Sequence, residues 1–310
     1  MAYDPHTLQC SEVWGGNEEA ERAIVMRGLD AWVLSRPANG DAGGGDIHYL
    51  SSCATGRITR ILLADVSGHG AEVAGLALRL RTLMRRFVNY VDQRRLVEHL
   101  NDEFALAVKN GRFATAIIAT LWGPTGVIEV TNAGHPPPLV YRVSGGVWRR
   151  LETDASQRAD DLPLGVQDGT TYGRARVLLE RGDMLLLYTD ALIEARLPDG
   201  SYLGEEGLLR VLQEVATPAG DAAGLTSRIA ARVCELAACD KLDDDATLLL
   251  LKPNDLPPPR GSLALGLATG ARLVKELVRA ILGREAFARP ELNKENFVGV
   301  FYDPANRRRA

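Results

Sequence analysis

Four aspartates in this chain close or adjoin an apolar, strand-like run, and their type and spacing could do chemistry. They lie in Gly43-Gly44-Gly45-Asp46, in Ile61-Leu62-Leu63-Ala64-Asp65-Val66-Ser67-Gly68-His69-Gly70, in Leu185-Leu186-Leu187-Tyr188-Thr189-Asp190, and in Asp243-Asp244-Asp245-Ala246-Thr247. Carboxylates converging at strand ends repel one another unless a cation sits among them. An oxygen-only ligand set suits hard ions such as Mg²⁺ and Mn²⁺. Zinc would want His or Cys, and the chain has neither H-E-x-x-H nor paired-cysteine spacing. Two such ions ~4 Å apart could share a water, lower its pKa and clamp a phosphate ester. Each block alone has a plainer reading. An Asp after a strand is ordinarily a turn or cap residue. The glycine run reads as a turn, Gly68-His69-Gly70 as a strand-to-helix turn, and the triple Asp as a solvated loop. Four coincidences in one acidic domain favour a joint site, while spacing alone leaves a hydrolase and a cation-binding module both open.

The elements that must position these residues alternate in type. Segments 29–35, 47–51 and 57–64 read as strands. Val73, Ala77, Leu80, Met84, Phe87 and Val91 recur at helical spacing, as do Val97, Leu100, Phe104 and Val108. Strand-like runs follow at 113–121, 127–131, 139–143, 147–151, 175–179 and 184–188, then helices at 205–215 and 225–237, and a closing strand at 246–251. Short turns such as Gly123-Pro124-Thr125-Gly126 and Ser144-Gly145-Gly146 make antiparallel neighbours. Strand runs with helices grouped between them predict an α+β fold or a layered αββα sandwich. A dinucleotide-binding fold is disfavoured, since no G-x-G-x-x-G follows a strand, and no Walker A sequence is present.

Composition sets the limits. With 310 residues, 46% hydrophobic and 25% charged, the chain reads as a globular protein. No apolar run approaches a bilayer span, and MAYDPHTLQCSEVW has neither a basic n-region nor an apolar h-region, so a cytoplasmic protein is expected. Cys10, Cys53, Cys234 and Cys239 form no C-x-x-C pair and are expected to be reduced, with Cys234 and Cys239 on different helix faces. Residues 253–310 carry ten Lys and Arg against six Asp and Glu, net +4, so the first 252 residues carry −8 of the chain's −4. The change coincides with Pro253-Asn254-Asp255-Leu256-Pro257-Pro258-Pro259, which no helix or central strand tolerates. The expected organisation is an N-terminal segment, 1–29, a main acidic domain, 30–252, and a proline-rich linker with a basic helical tail, 253–310. The net charge of −4 and the lack of an aromatic-basic stripe disfavour a nucleic-acid partner.

Asp65-Val66-Ser67-Gly68-His69-Gly70 resembles the D-V-S-G-H-G signature of the SpoIIE/RsbU branch of the metal-dependent PPM (protein phosphatase 2C-like) serine/threonine phosphatases. Other blocks occur in that family's order. Gly44-Gly45-Asp46 resembles its G-G-D, Gly111-Arg112-Phe113-Ala114-Thr115 its F-x-T strand, and Asn132-Ala133-Gly134-His135-Pro136-Pro137-Pro138 its N-A-G-H-x-P turn. Leu164-Gly165 fits L-G, Gly182-Asp183 with Tyr188-Thr189-Asp190 resembles G-D-x-L-x-x-Y-T-D-G, and Asp244-Asp245-Ala246-Thr247 resembles D-D-x-T. The likeness covers about residues 30–252. It implies a PPM-type αββα sandwich of two mainly antiparallel sheets flanked by helices.

Carried over block by block, the resemblance implies two Mn²⁺ or Mg²⁺ ions. Asp65 would bridge them and the Val66 carbonyl would join one shell. Asp190 and Asp244 would bind the other ion, and Asp46 would bind through water or complete the first shell. Water activated by the ions would attack a phosphoserine or phosphothreonine phosphorus in line, with no phosphoenzyme. In this branch the usual substrates are phosphorylated STAS-domain regulators of bacterial partner switching. One departure stands out: the family's T-D-G is Thr189-Asp190-Ala191 here. If that position needs φ > 0, Ala would cost about 1 kcal/mol and tilt Asp190. This motivates the competing reading of a weak, phosphoprotein-binding pseudophosphatase. Family members often carry a sensor domain ahead of the phosphatase; with fewer than about 30 residues before position 30 in this sequence, none is expected here.

His69 and His135 are candidate acids, though in Gly- and Pro-rich turns His more often bonds local backbone. Arg79, Arg81, Arg85, Arg86, Arg94 and Arg95 read as a solvated helix face rather than a docking surface. In the tail, Leu267, Val274, Leu277, Val278, Ile281 and Leu282 mark one face of a helix suited to a regulatory partner or a dimer contact.

Overall fold

The structure, a computed structural model, describes residues 5–10, 12–38, 43–53, 56–68, 71–87, 89–108, 111–152, 159–215 and 222–257. His69 and the tail helix lie outside them. The strands are β1 (His6–Thr7), β2 (Val13–Gly16), β3 (Ala20–Met26), β4 (Leu29–Arg36), β5 (Asp46–Ser52), β6 (Ile58–Val66), β7 (Ala114–Trp122), β8 (Val127–Ala133), β9 (Leu139–Arg142), β10 (Val147–Arg150), β11 (Ala175–Leu178), β12 (Met184–Tyr188) and β13 (Ala246–Pro253). The helices are α1 (Ala71–Arg86), α2 (Gln93–Ala107), α3 (Gly204–Val215) and α4 (Leu225–Leu236), with a short 3₁₀ turn over Asp190–Leu192.

Two sheets form, ordered β1-β3-β4-β13-β12-β9-β10 and β11-β8-β7-β6-β5-β2. Every strand pairing is antiparallel except β1 with β3. The period-2 geometry of a strand explains the layers. On β6, Leu62, Ala64 and Val66 pack towards α1 and α2, while Ile61 and Leu63 pack between the sheets. On β13, Leu248 and Leu250 pack towards α3 and α4, while Leu249 and Leu251 fill the space between the sheets. A strand buried on both faces needs apolar residues at every position. The runs Ile61-Leu62-Leu63-Ala64 and Leu248-Leu249-Leu250-Leu251 are therefore continuous rather than alternating. The result is the expected α+β, αββα sandwich.

Three strands, β1, β2 and β3, escape the sequence reading, and β1 has only two residues to show a pattern. β2, an edge strand, contains Gly15 and Gly16, and β3 exposes Glu21 and Arg22, so neither shows a clean period. The first helix stops at Arg86, short of Val91, because Phe87 and Tyr90 fold into a turn: the Tyr90 amide donates to the Phe87 carbonyl at 3.0 Å and the two rings meet edge to face. Arg79 and Arg86 do not form a solvated face. Both pair with Glu103 at 2.8 Å and tie α1 to α2. Cys234 and Cys239, expected apart, are neighbours, since α4 ends at Leu236 and the Cys239 amide returns to the Cys234 carbonyl at 3.0 Å. Burial, then Cys239, pushes the Cys234 thiol up to about 11. Among the described residues no helix is long and apolar enough to cross a membrane.

β13 runs to Pro253, and beyond it Asn254 Nδ2 donates to the Met26 carbonyl at 2.8 Å and to Asp30 Oδ1 at 2.6 Å. Truncation after Lys252 removes this tie to the β3–β4 turn, whereas truncation after Pro257 keeps it. The first is expected to lower stability by about 1–3 kcal/mol in urea unfolding, the scale of unpairing half-buried polar groups. Equal stability of the two truncations would show that Asn254 contributes nothing.

Candidate active site at one end of the two sheets

The antiparallel registers bring the four acidic blocks together in two pairs, one pair in each sheet. Asp46, the first residue of β5, pairs with Asp65 near the end of β6, and Asp65 in turn pairs with Thr115 on β7. In the other sheet Tyr188 pairs with Leu248, so Asp190 leaves β12 where Asp244 and Asp245 enter β13. Thr189 joins the sheets. Its hydroxyl donates to Asp46 Oδ2 at 2.8 Å and accepts the Thr247 amide at 2.9 Å. Thr247 Oγ1 donates to Ser35 Oγ at 3.1 Å. The threonines of Y-T-D and D-D-x-T are thus the rivets of the site, a role their sequence positions do not announce.

Asp46 is buried, 3% exposed, behind Asp65. Burial, and next the Asp65 charge, raise its pKa well above the ordinary carboxylate range, against the Thr189 hydrogen bond. Asp65 is pushed up to about 7, first by burial, then by Asp190, Asp244, Asp245 and Glu194. Asp190 is raised by burial, then by Glu194 and Asp244. Glu194, one turn beyond Asp190 and absent from the sequence reading, therefore belongs to the same negative field. Asp245 serves otherwise. Its carboxylate accepts the amides of Ala38, at 2.6 Å, and of Gly45, so it fastens the glycine loop to the end of β4. Asp244 is exposed and accepts the Asp245 amide at 2.8 Å.

Among the described residues no three His, Cys, Asp or Glu side chains already close into a cage. The donor set nonetheless fits an oxygen-seeking divalent cation. Mutually repelling carboxylates surround Asp65. A Cβ at Gly45 would sit 3.0 Å from the Val66 carbonyl oxygen and 3.3 Å from Asp65 Oδ1, so Gly45 keeps the approach to both oxygens open. Arg112 lies over Gly68 and donates to the Ser67 carbonyl at 3.2 Å, putting a guanidinium on the D-V-S-G-H-G turn.

His135 is part of the frame. It shares a 2.8 Å hydrogen bond with Thr115 Oγ1, its amide donates to Asn132 Oδ1, and its carbonyl accepts from Asn132 Nδ2, both at 2.7 Å. Burial depresses its pKa to about 3 and that of His48 to about 4. Both stay neutral in the native state and take up protons on unfolding below about pH 6.5. They therefore stabilise the fold above that pH, and the contribution falls as pH drops towards their native values. Each should add about 1.4 kcal/mol per pH unit to the slope of unfolding free energy between pH 4.5 and 6. His48→Gln is expected to remove one such increment in urea titrations, and an unchanged slope would refute the neutral, buried His48.

Ala191 corrects a sequence expectation. It lies in the 3₁₀ turn, and the non-glycine residues with positive φ among those described are Asp161 and Ala238. Ala191 therefore carries no left-handed strain, and its methyl group packs into the layer beneath α3 and α4.

The Stage II sporulation protein E (SpoIIE) family profile matches residues 55–254, more than half of the chain. Phosphoserine phosphatase RsbU of Bacillus subtilis is 25% identical over 187 residues, 60% of this chain and 52% of that protein. Phosphoserine phosphatase RsbP of the same organism is 27% identical over 139 residues, 43% of this chain and 33% of that protein. The chain thus spans about half the length of RsbU and a third of RsbP. Among solved structures, the RsbU and RsbW domains of Rv1364c from Mycobacterium tuberculosis align with a TM-score of 0.59 at 25% identity, over 85% of this chain and 71% of that one. The phosphatase domain of SpoIIE from Bacillus subtilis aligns with a TM-score of 0.56 at 15% identity, over 76% and 96%. With this match lying on the αββα frame and its strand-end carboxylates, the chain belongs to the SpoIIE family.

Proposed function

We propose that the protein is a divalent-metal-dependent phosphoprotein phosphatase acting on phosphoserine or phosphothreonine, with a STAS-domain regulator of bacterial partner switching as substrate. The observation that carries this reading is the convergence of Asp65, Asp190 and Asp244 at one end of both sheets, set by the strand registers, where burial and the neighbouring carboxylates raise the Asp65 pKa. Asp65, the Val66 carbonyl, Asp190 and Asp244 would hold two Mn²⁺ or Mg²⁺ ions, with Asp46 behind them. Bound there, the ions supply acidity to water and charge neutralisation to a phosphate ester. The chain's own residues do the rest. Thr189 orients Asp46, Asp245 fixes the glycine loop, and Arg112, beside Gly68 on its turn, would meet phosphoryl oxygens. Neutral, buried His135 holds the β7 end through Thr115 and is not a proton donor at working pH. The substrate class is supported by the RsbU and RsbP relatives, named phosphoserine phosphatases, and by a neighbour that joins RsbU and RsbW domains. We place the protein in the cytoplasm with its four cysteines reduced. The pseudophosphatase reading loses its motive with the unstrained Ala191. Incubation with phosphorylated STAS proteins from the same source, with Mn²⁺, is the direct test: release of phosphate is expected. If a generic aryl phosphate is hydrolysed and no phosphoprotein is, the substrate assignment fails.

A further inference from the structure

The glycine loop that delivers Asp46 is held from two sides, and one holder lies outside the residues that match the family profile. On one side is Asp245, through the Gly45 amide. On the other is Asn17, in the connection between β2 and β3. Asn17 Nδ2 donates to the Gly44 carbonyl at 3.0 Å, and the Asn17 carbonyl accepts the Gly44 amide at 2.9 Å. Both polar groups of the Gly44 backbone are thus satisfied by one residue 27 positions upstream. The packing is equally close. A Cβ at Gly43 would lie 2.6 Å from Asn17 Nδ2 and 2.9 Å from its Cγ, and a Cβ at Gly44 would overlap the Asp245 carboxylate. Neither glycine has a positive φ. What requires Gly43 and Gly44 is therefore space for the two clamping side chains, rather than an unusual backbone. Gly45 leaves room for the oxygens of Val66 and Asp65, so each member of the run Gly43-Gly44-Gly45 has its own neighbour to admit.

We infer that Asn17 is a positioning residue for the metal site, acting through the Gly44 backbone on Asp46, and that the β2–β3 connection is part of the catalytic unit. The inference rests on the proposed metal site. Loss of the Nδ2 donor leaves the Gly44 carbonyl without that partner and frees the loop one residue before Gly45 and two before Asp46. Removing an outer hydrogen bond of this kind typically weakens metal affinity by about 10–100-fold.

The test uses the full chain with Asn17→Asp, which keeps the side-chain size and loses the donor, and Asn17→Ala. Mn²⁺ affinity is measured by calorimetry, and hydrogen exchange of the segment 43–46 is followed in the metal-free protein. Expected are at least about tenfold weaker Mn²⁺ binding in both variants, faster exchange confined to the loop, and a melting temperature near wild type. A role in packing alone would spare Asn17→Asp. Gly43→Ala supplies a second arm: its penalty on Mn²⁺ affinity should shrink in the Asn17→Ala background, where the clash partner is gone. Wild-type Mn²⁺ affinity and unchanged loop exchange in both Asn17 variants would overturn the clamp while leaving the metal site standing. If the wild type binds no Mn²⁺, the metal reading fails, and unchanged loop exchange in the variants would overturn the clamp independently.

Discussion

Asp65→Ala is expected to lose at least ~10²-fold in aryl phosphate turnover, the scale set by losing transition-state charge stabilisation. Chelation of divalent ions should bring the wild type to the same floor, with recovery on adding Mn²⁺ or Mg²⁺. Asp65 stands between Asp46 and Thr115 in the strand register, and the charges of Asp190, Asp244, Asp245 and Glu194 all act on it. Asp46 and Asp190 are each raised by two neighbouring charges against four at Asp65, so the Asp65 carboxylate is the one whose removal should leave the largest gap in the donor set. Turnover at saturating Mn²⁺, Mn²⁺ affinity and circular dichroism measured together decide the matter. A folded Asp65→Ala protein with near wild-type turnover, or activity that persists in excess chelator, would sink the metal-dependent reading.

The same position ties function to stability with opposite sign. Asp65 is pushed from an ordinary 3.8 up to about 7, so the native state favours its protonated form. Its stabilising contribution is fully present below about pH 3.8 and is lost as pH rises through about 7. In metal-free protein, Asp65→Asn mimics the protonated acid and should therefore be more stable than wild type at pH 8, with the difference closing by pH 4. Thermal melts in chelator check this. A less stable Asp65→Asn protein at pH 8 would mean that the carboxylate is not held in an unfavourable field. A carboxylate that costs the metal-free fold stability in this way is one that a bound cation would relieve.

How much of this was legible in the sequence follows from how local each signal is. Asp65 and its turn are legible because a double-sided buried strand writes an unbroken apolar run, and the polar block that ends it stands out. Asp190 and the block Asp243-Asp244-Asp245 stand out for the same reason, at the ends of Leu185-Leu186-Leu187 and Leu248-Leu249-Leu250, whereas the choice of Asp244 over Asp245 rests on the likeness to D-D-x-T. Thr189 and Thr247 are not, since a β-branched residue beside a strand is what strand propensity alone would place there. Their role appears only when two sheets from distant parts of the chain close on each other. Asn17 is less legible still. It sits between an edge strand and a partly exposed one, neither of which shows a period, and its partner Gly44 is reached through tertiary folding. Ala191 misled in the other direction: the family's glycine suggested a left-handed residue, whereas the backbone after Thr189 turns into 3₁₀ geometry that any L-residue adopts.

Asp244→Ala should fall close to Asp65→Ala, at least ~10²-fold down, while Asp245→Ala should lose only about tenfold, on the scale of an outer-sphere change. The two carboxylates are adjacent, yet the structure gives them different work. Asp245 already accepts two backbone amides, those of Ala38 and Gly45, and has its charge committed to holding the glycine loop. Asp244 is exposed, within the field that raises Asp65 and Asp190, and its recorded hydrogen bond is from the next residue's amide. Removing Asp245 leaves two amides without a side-chain partner, which should cost about 1–3 kcal/mol of stability. It should also weaken Mn²⁺ binding through a looser loop, so raising Mn²⁺ recovers much of the turnover. On the proposed ligand set, removing Asp244 would take away a ligand, so saturating Mn²⁺ should not restore the rate, while stability should change little. Turnover against Mn²⁺ concentration, with urea unfolding of the same two proteins, separates the roles. If Asp245→Ala resists rescue and Asp244→Ala is rescued, the ligand is Asp245 and the register of the D-D-x-T block must move by one residue.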